Sequence, residues 1–263
     1  MIGLAAKIQT AVAGFALPLP QMLRKVLRRI SRGVVLQRRL PSEFGRHPVF
    51  VSPDSALSYW RWNLGKVDPF LLTMVRELVR NNMTVWDIGA NVGLFSFAAA
   101  GLGAQVLALE ADPGLADLLR RSARLNGLPV TVVPAGINDA FGISDLHFSN
   151  DGRASNSLLG TGESQPVVTI TLDMLLDRFA VPDVVKIDIE GVECAALRGA
   201  PRLLKHRPVI FCEVSQNHDE VGNLLRAAGY VLYAARESER RPLQRPSRDT
   251  LALAHGTPVG QER

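Results

Sequence analysis

Cysteine is scarce: the 263 residues hold two, Cys194 and Cys212. That excludes a disulfide scaffold. Both fall in an expected helix and strand, which suits reduced, buried thiols in a cytosolic protein. No Cys/His spacing matches a zinc site, so no metal is expected, although the chain's carboxylates could host a divalent ion. Long unbroken apolar runs are missing too. Residues 1–20 are apolar, but Lys7, Gln9, Thr10, Pro18 and Pro20 interrupt them, which argues against a membrane span. The first base is Lys7, which argues against a cleaved signal peptide. Also absent is the dinucleotide fingerprint G-x-G-x-x-G. Its three positions would be Gly89, Asn91 and Leu94, and two of them fail.

What is present is ordinary for a soluble globule, with 47% hydrophobic and 21% charged residues, and enough length for one sizeable core. The charge is unevenly placed. Up to Arg46, nine bases face Glu43 alone, a net +8 against +5 for the whole chain, so the remainder is net −3. Within residues 21–40, Met22, Leu23, Val26, Leu27 and Ile30 fall at helical spacing among Arg24, Lys25, Arg28 and Arg29. Two readings stand: a helix lying on an anionic membrane surface, or an N-terminal helix packed on the domain with its bases solvated. A nucleic-acid reading ranks third, because interleaved aromatics and a binding module are both lacking.

The chain is organised around Val85-Trp86-Asp87-Ile88-Gly89-Ala90-Asn91-Val92-Gly93. Thr84 to Ile88 reads as a buried strand, Gly89 to Asn91 as a tight turn, and Val92 to Ala100 as a helix with glycines behind it. Such a unit brings backbone N–H groups to a ligand. Its pattern, D-x-G-x-N-x-G, has an acid where phosphate would be repelled and a cationic amino-acid group welcomed. The next strand, Gln105 to Leu109, ends in Glu110, placed to accept hydrogen bonds from ribose hydroxyls. Asp87 and Glu110 together favour S-adenosylmethionine (SAM), which carries an amino group and a sulfonium but no phosphate, over a dinucleotide. The expected cofactor contacts are Asp87, Gly89, Asn91, Gly93 and Glu110. Asn138 or Asp139, after the third strand, would reach the adenine amino group, or form a surface turn.

Further along, the residues resemble a known family. The run Trp86 to Gly93, Glu110-Ala111-Asp112-Pro113, Leu125-Asn126-Gly127, Thr171-Leu172-Asp173, Lys186-Ile187-Asp188-Ile189-Glu190-Gly191, Leu197-Arg198-Gly199-Ala200 and Pro208 to Glu213 resemble the FkbM-type SAM-dependent methyltransferases. The K-I-D-I-E-G run is the most specific of these. Ala111 stands where the family's first proline would be. The resemblance implies O-methylation of sugars or polyketide-like hydroxyls, and a final antiparallel edge strand at residues 250–254. It places residues 141–170, read as two short strands around a polar loop, near the active site, with Ser155 to Ser157 as a substrate wall; a mobile surface hairpin is the competing account.

These readings combine into a Rossmann-like seven-stranded α/β sheet with helices on both faces. Residues 1–46 form a basic, partly helical arm, and 47–82 an aromatic loop and a helix starting at Asp68-Pro69. The methyltransferase domain covers 83–255, and 256–263 are a tail. In the aromatic loop Tyr59, Trp60 and Trp62 would wall a substrate site or pack on the sheet. Asp188 and Glu190, at the tip of the fourth strand, would orient an acceptor hydroxyl and take its proton. Alternatively they hold Lys186 or the next helix. His218, in a later loop, is a further candidate base. The expected activity is SAM-dependent methylation of a hydroxyl on a sugar, glycan or natural product. The rivals are an RNA methyltransferase guided by the arm and a SAM-binding module without catalysis. The expected location is cytoplasmic, with peripheral contact at the inner membrane surface if the arm binds lipid.

Overall fold

The computed structural model describes residues 21–256. The readings for residues 1–20 and for the tail beyond Gly256 lie outside them. Helix α1 (Gln21–Ser31) leads into a two-stranded antiparallel hairpin, β1 (Leu36–Arg39) and β2 (Pro48–Val51). Helix α2 (Pro69–Leu78) starts where proline and a capping acid say it should: the Asp68 carboxylate accepts the Leu71 N–H at 2.9 Å. Then come β3 (Thr84–Ile88), α3 (Leu94–Gly101), β4 (Gln105–Leu109), α4 (Pro113–Asn126) and β5 (Val130–Val133). Helix α3 starts two residues later than its apolar run suggests. Asn91 (φ +54°) and Gly93 (φ +91°) are both left-handed, so the chain cannot be helical before Leu94.

Residues 136–170 form a small separate sheet of β6 (Gly136–Ile137), β7 (Gly142–His147) and β8 (Ser164–Ile170), in the order β6-β8-β7. The second half of the main domain runs α5 (Leu172–Leu175), β9 (Val184–Ile187), α6 (Glu193–Arg198), α7 (Pro201–Lys205), β10 (Val209–Glu213), α8 (His218–Ala227), β11 (Tyr230–Ala234) and β12 (Asp249–Ala254). The main sheet is seven-stranded, ordered β11-β12-β10-β9-β3-β4-β5. All its ladders are parallel except the two that β12 makes.

One expectation is corrected. Strand β12 is antiparallel, but it is not an edge: it lies between β10 and β11, and β11 is the edge. The physical reason is burial on both faces. All six residues of β12 are buried, with Leu251 and Leu253 in one apolar cluster and Ala252 in another. A strand apolar on both faces belongs inside a sheet.

Strand alternation divides the core between the two faces. Val85 and Ala108 join the cluster under α2, α3 and α4, while Trp86, Ile88, Leu107 and Ile187 join the cluster under α5 to α8. The hairpin is tied to α4, with the Phe50 N–H donating to Ser122 Oγ at 2.9 Å and Asn126 Nδ2 to the Pro48 carbonyl at 2.7 Å. Between β3 and β9, which run parallel, the order of strands along the chain reverses, and at such a switch point an open α/β sheet leaves a crevice.

Candidate active site

The crevice is built from three strand tips. At the end of β3, Gly89 has φ +78°, and a Cβ there would lie 1.8 Å from the Asp188 carbonyl oxygen. Only glycine lets the β3 and β9 tips approach so closely. The Gly89 and Ala90 N–H groups donate to the Leu109 carbonyl at 3.0 and 2.8 Å, which fixes the β3 turn against β4. Asn91 then donates its N–H to Glu110 Oε2 at 2.7 Å, and its Oδ1 accepts Ser55 Oγ at 2.5 Å. Glu110 Oε1 accepts the Asp112 N–H at 2.8 Å. Each carboxylate oxygen thus holds one backbone donor and keeps acceptor capacity toward the pocket. Burial pushes this carboxyl up to about 7, against the pull of those two backbone donors.

The pocket encloses about 820 Å³, open mouth included. Its apolar lining includes Leu109, Leu115, Ala135, Ile137 and Leu158, and its acids are Glu110 at the β4 tip and Asp188, Glu190 and Glu213. A second cavity lies across the Gly89–Asn91 turn, lined by Ser58, Tyr59, Asp68, Lys186 and Asp188 among others. Asp188 therefore faces both. Tyr59 and Trp60 of the aromatic segment are buried, Tyr59 walling this second cavity, while Trp62 is exposed under the Arg38 guanidinium.

Beneath the β9 tip sits a buried ion group. Lys186 Nζ lies 3.0 Å from Asp87 Oδ1, 3.1 Å from the Gly89 carbonyl and 3.4 Å from Asp188 Oδ2. Burial alone would lower the lysine's pKa, but Asp87 and then Asp188 outweigh it and hold the ammonium charged. Asp87 also accepts Ser96 Oγ at 2.6 Å. Beyond Asp188, Glu190 has φ +46°, and its carbonyl accepts Ser157 Oγ at 2.6 Å. Burial, then the neighbouring Asp188 and Glu213, push the Glu190 carboxyl up to about 7. Burial and Asp188 also raise Glu213, against its ion pair with Arg248.

The wall opposite is a loop pinned to Asp112. Arg153 Nε donates to Asp112 Oδ2 at 2.7 Å and Asn156 Nδ2 to the same oxygen at 3.0 Å. The same carboxylate caps α4 through the Gly114 N–H at 2.9 Å. Arg153, Ala154, Asn156 and Ser157 line the pocket.

Of the residues named from sequence, Gly89, Asn91, Glu110, Asp188 and Glu190 meet at this pocket, as do Asn156 and Ser157 of the expected wall, though Ser155 does not line it. Asp87 does not line it. Strand alternation turns its side chain under α3, fully buried against Lys186 and Ser96, so its charge is spent inside the protein. Gly93 lies behind the turn, packed against Leu119 and Phe97. Asn138 and Asp139 lie past the lining residues Gly136 and Ile137: the Asn138 N–H donates to the Ile170 carbonyl, and its Oδ1 accepts the Asp139 N–H. His218 opens α8 away from the lining residues, its Nδ1 2.9 Å from the Pro246 carbonyl. Sequence reasoning missed Arg153 and Glu213 as pocket residues. Among the described residues, no three His, Cys, Asp or Glu side chains are grouped so as to hold a metal ion.

The chain is similar to several known methyltransferases. The hexuronic acid methyltransferase AglP of Haloferax volcanii is 27% identical over 181 residues, which cover 66% of this chain and 74% of that protein. Two solved structures overlap it loosely. A precorrin-6y methyltransferase of Geobacter metallireducens has TM-score 0.42 and 18% identity, covering 72% of this chain and 86% of that one. Methyltransferase FkbM from Methylobacillus flagellatus KT has TM-score 0.42 and 16% identity, covering 69% of this chain, which spans 49% of that one. The Methyltransferase FkbM domain itself matches residues 87–232, more than half of the chain, from the buried Asp87 to β11, and the protein belongs to that methyltransferase family.

Proposed function

We propose that this methyltransferase binds SAM in the pocket between the β3, β4 and β9 tips and methylates a hydroxyl of a sugar or glycan. The observation that carries the reading is one pocket with two differently held acids. Glu110 is fixed by two backbone N–H donors at the β4 tip, and Asp188 and Glu190 stand across from it at the β9 tip. Residues 83–255 would form the methyltransferase domain, with 47–82 and the arm as extensions.

The residues present suit the cofactor. The free acceptor capacity of Glu110 matches two ribose hydroxyls. Leu109, Ala135, Ile137 and Leu158 offer a flat apolar slot, kept open at Gly136, where a Cβ would press on Leu158 at 3.3 Å. Asn91, Ser58 and Asp68 would meet the amino-acid end. When bound, SAM supplies a methyl group on a positively charged sulfur. Asp188 and Glu190 would align the acceptor hydroxyl and receive its proton as the new oxygen–carbon bond forms and the carbon–sulfur bond breaks. Glu190, with its carboxyl near 7, can exchange a proton at neutral pH. Similarity to a hexuronic acid methyltransferase supports a sugar acceptor.

Calorimetry tests the cofactor assignment: SAM and its demethylated product should both release heat on binding, and NAD should not. Heat from NAD with none from SAM would reverse it. Affinity for SAM should also rise as pH rises through about 7, because the ionised Glu110 accepts ribose hydroxyls better than its acid. Stability of the free protein should run the other way. The folded-state value lies above the ordinary 4.5 of a glutamate, so this group's contribution is full at low pH and is lost as pH rises through about 7. Glu110→Gln should flatten both profiles in calorimetry and thermal melts. Unaltered profiles would exclude Glu110 as their source.

A further inference from the structure

We infer that α1 is a docking surface for an anionic lipid bilayer, an inference independent of which acceptor is methylated. At about 100° per residue, Met22, Val26, Ile30, Leu23 and Leu27 fill an arc of roughly 140°, while Arg28 falls opposite it and Arg29 at its border. A helix serving only to cap the domain would bury that apolar arc. Here just its far edge is buried: Leu27 is 6% exposed, but Met22 is 81%, Val26 50%, Ile30 40% and Leu23 38% exposed.

The helix is nevertheless held in place. Ser31 Oγ accepts Trp60 Nε1 at 3.0 Å, and Arg28 Nη1 donates to the Asn150 carbonyl at 2.8 Å and lies 2.7 Å from Asp151 Oδ1. The Arg28 tether consumes one base. Arg29, exposed, borders the apolar arc, and Arg32, also exposed, follows directly after the helix; both line a groove shared with Asp54, Asp151 and Glu163. An apolar stripe flanked by arginines fits a surface whose interior is hydrocarbon and whose headgroups are negative. RNA would use the arginines and leave the stripe in water. Among the described residues no helix is long and apolar enough to cross a membrane, so contact through α1 would be peripheral.

The experiment is sedimentation of the full chain with vesicles of phosphatidylcholine, with and without phosphatidylglycerol. Binding should require phosphatidylglycerol and weaken with added salt. M22E/V26E should weaken it at least roughly tenfold by placing charge in the stripe. R29E/R32E should do the same, each arginine near the surface being worth roughly fivefold. SAM affinity and melting temperature should be unchanged in both variants, which separates loss of docking from loss of fold and from any failure of the cofactor assignment. No binding to either vesicle would overturn the inference, as would binding that survives both double substitutions. Polyuridylate binding that falls with R29E/R32E but not with M22E/V26E, without vesicle binding, would overturn it in favour of RNA.

Discussion

Asp188→Asn is expected to lower turnover by roughly 10²–10⁴-fold at saturating SAM while leaving SAM affinity within a few-fold. The substitution keeps the size of the side chain and removes its charge and basicity. Asp188 stands at the β9 tip between the two cavities, with its backbone N–H on the Ile88 carbonyl at 3.0 Å. Glu110 is separate, at the β4 tip. Glu110→Ala should therefore show the opposite pattern, weakening SAM with a smaller effect on turnover at saturation. Paired calorimetry and single-turnover kinetics on both variants read the split. If Asp188→Asn turns over normally, the proton goes elsewhere, and Glu190, already near neutrality, is the next residue to substitute.

Lys186→Met should cost about 3–5 kcal/mol of folding stability. Lys186 and Asp87 are both buried, in register across the β3–β9 ladder. Removing the ammonium leaves a buried carboxylate whose remaining partner is the Ser96 hydroxyl. For a domain of this size that loss corresponds to a fall in melting temperature on the order of 10 °C. The double variant Asp87→Asn with Lys186→Met removes the stranded charge and should recover much of the loss, because a buried ion pair exchanged for neutral groups is often close to neutral in stability. Thermal melts of the two proteins decide it. A single variant as stable as wild type would mean that the pair is not the desolvated group described.

The Asp87–Lys186 pair also shows where the sequence stops being legible. Strands β3 and β4 could be read because each is a short apolar run ending in a turn, and α4 because Asp112-Pro113 and Gly127 mark its ends. Glu110 could be read as pocket-facing because it is the first residue past its strand. Asp87 looked equally exposed to a ligand. But it lies inside the strand, where alternation sends it under α3, and its partner is 99 residues away. Arg153 escaped notice for the same reason: the polar loop was visible, but its anchor Asp112 is 41 residues distant. The position of β12 was illegible because nothing local distinguishes an inner strand from an edge strand. The distinction lies in which faces its neighbours cover. Helix α1 carried both of its readings in one pattern, and only its exposed stripe favours one of them.

The most direct measurement is the fate of an isotopically labelled methyl group when the purified protein is incubated with labelled SAM and glycans extracted from the cell. The label should appear by mass spectrometry as a methyl ether on a sugar oxygen, and should be lost with Asp188→Asn. Label found in RNA or protein, or no transfer from a protein that shows no heat with SAM, would contradict the account.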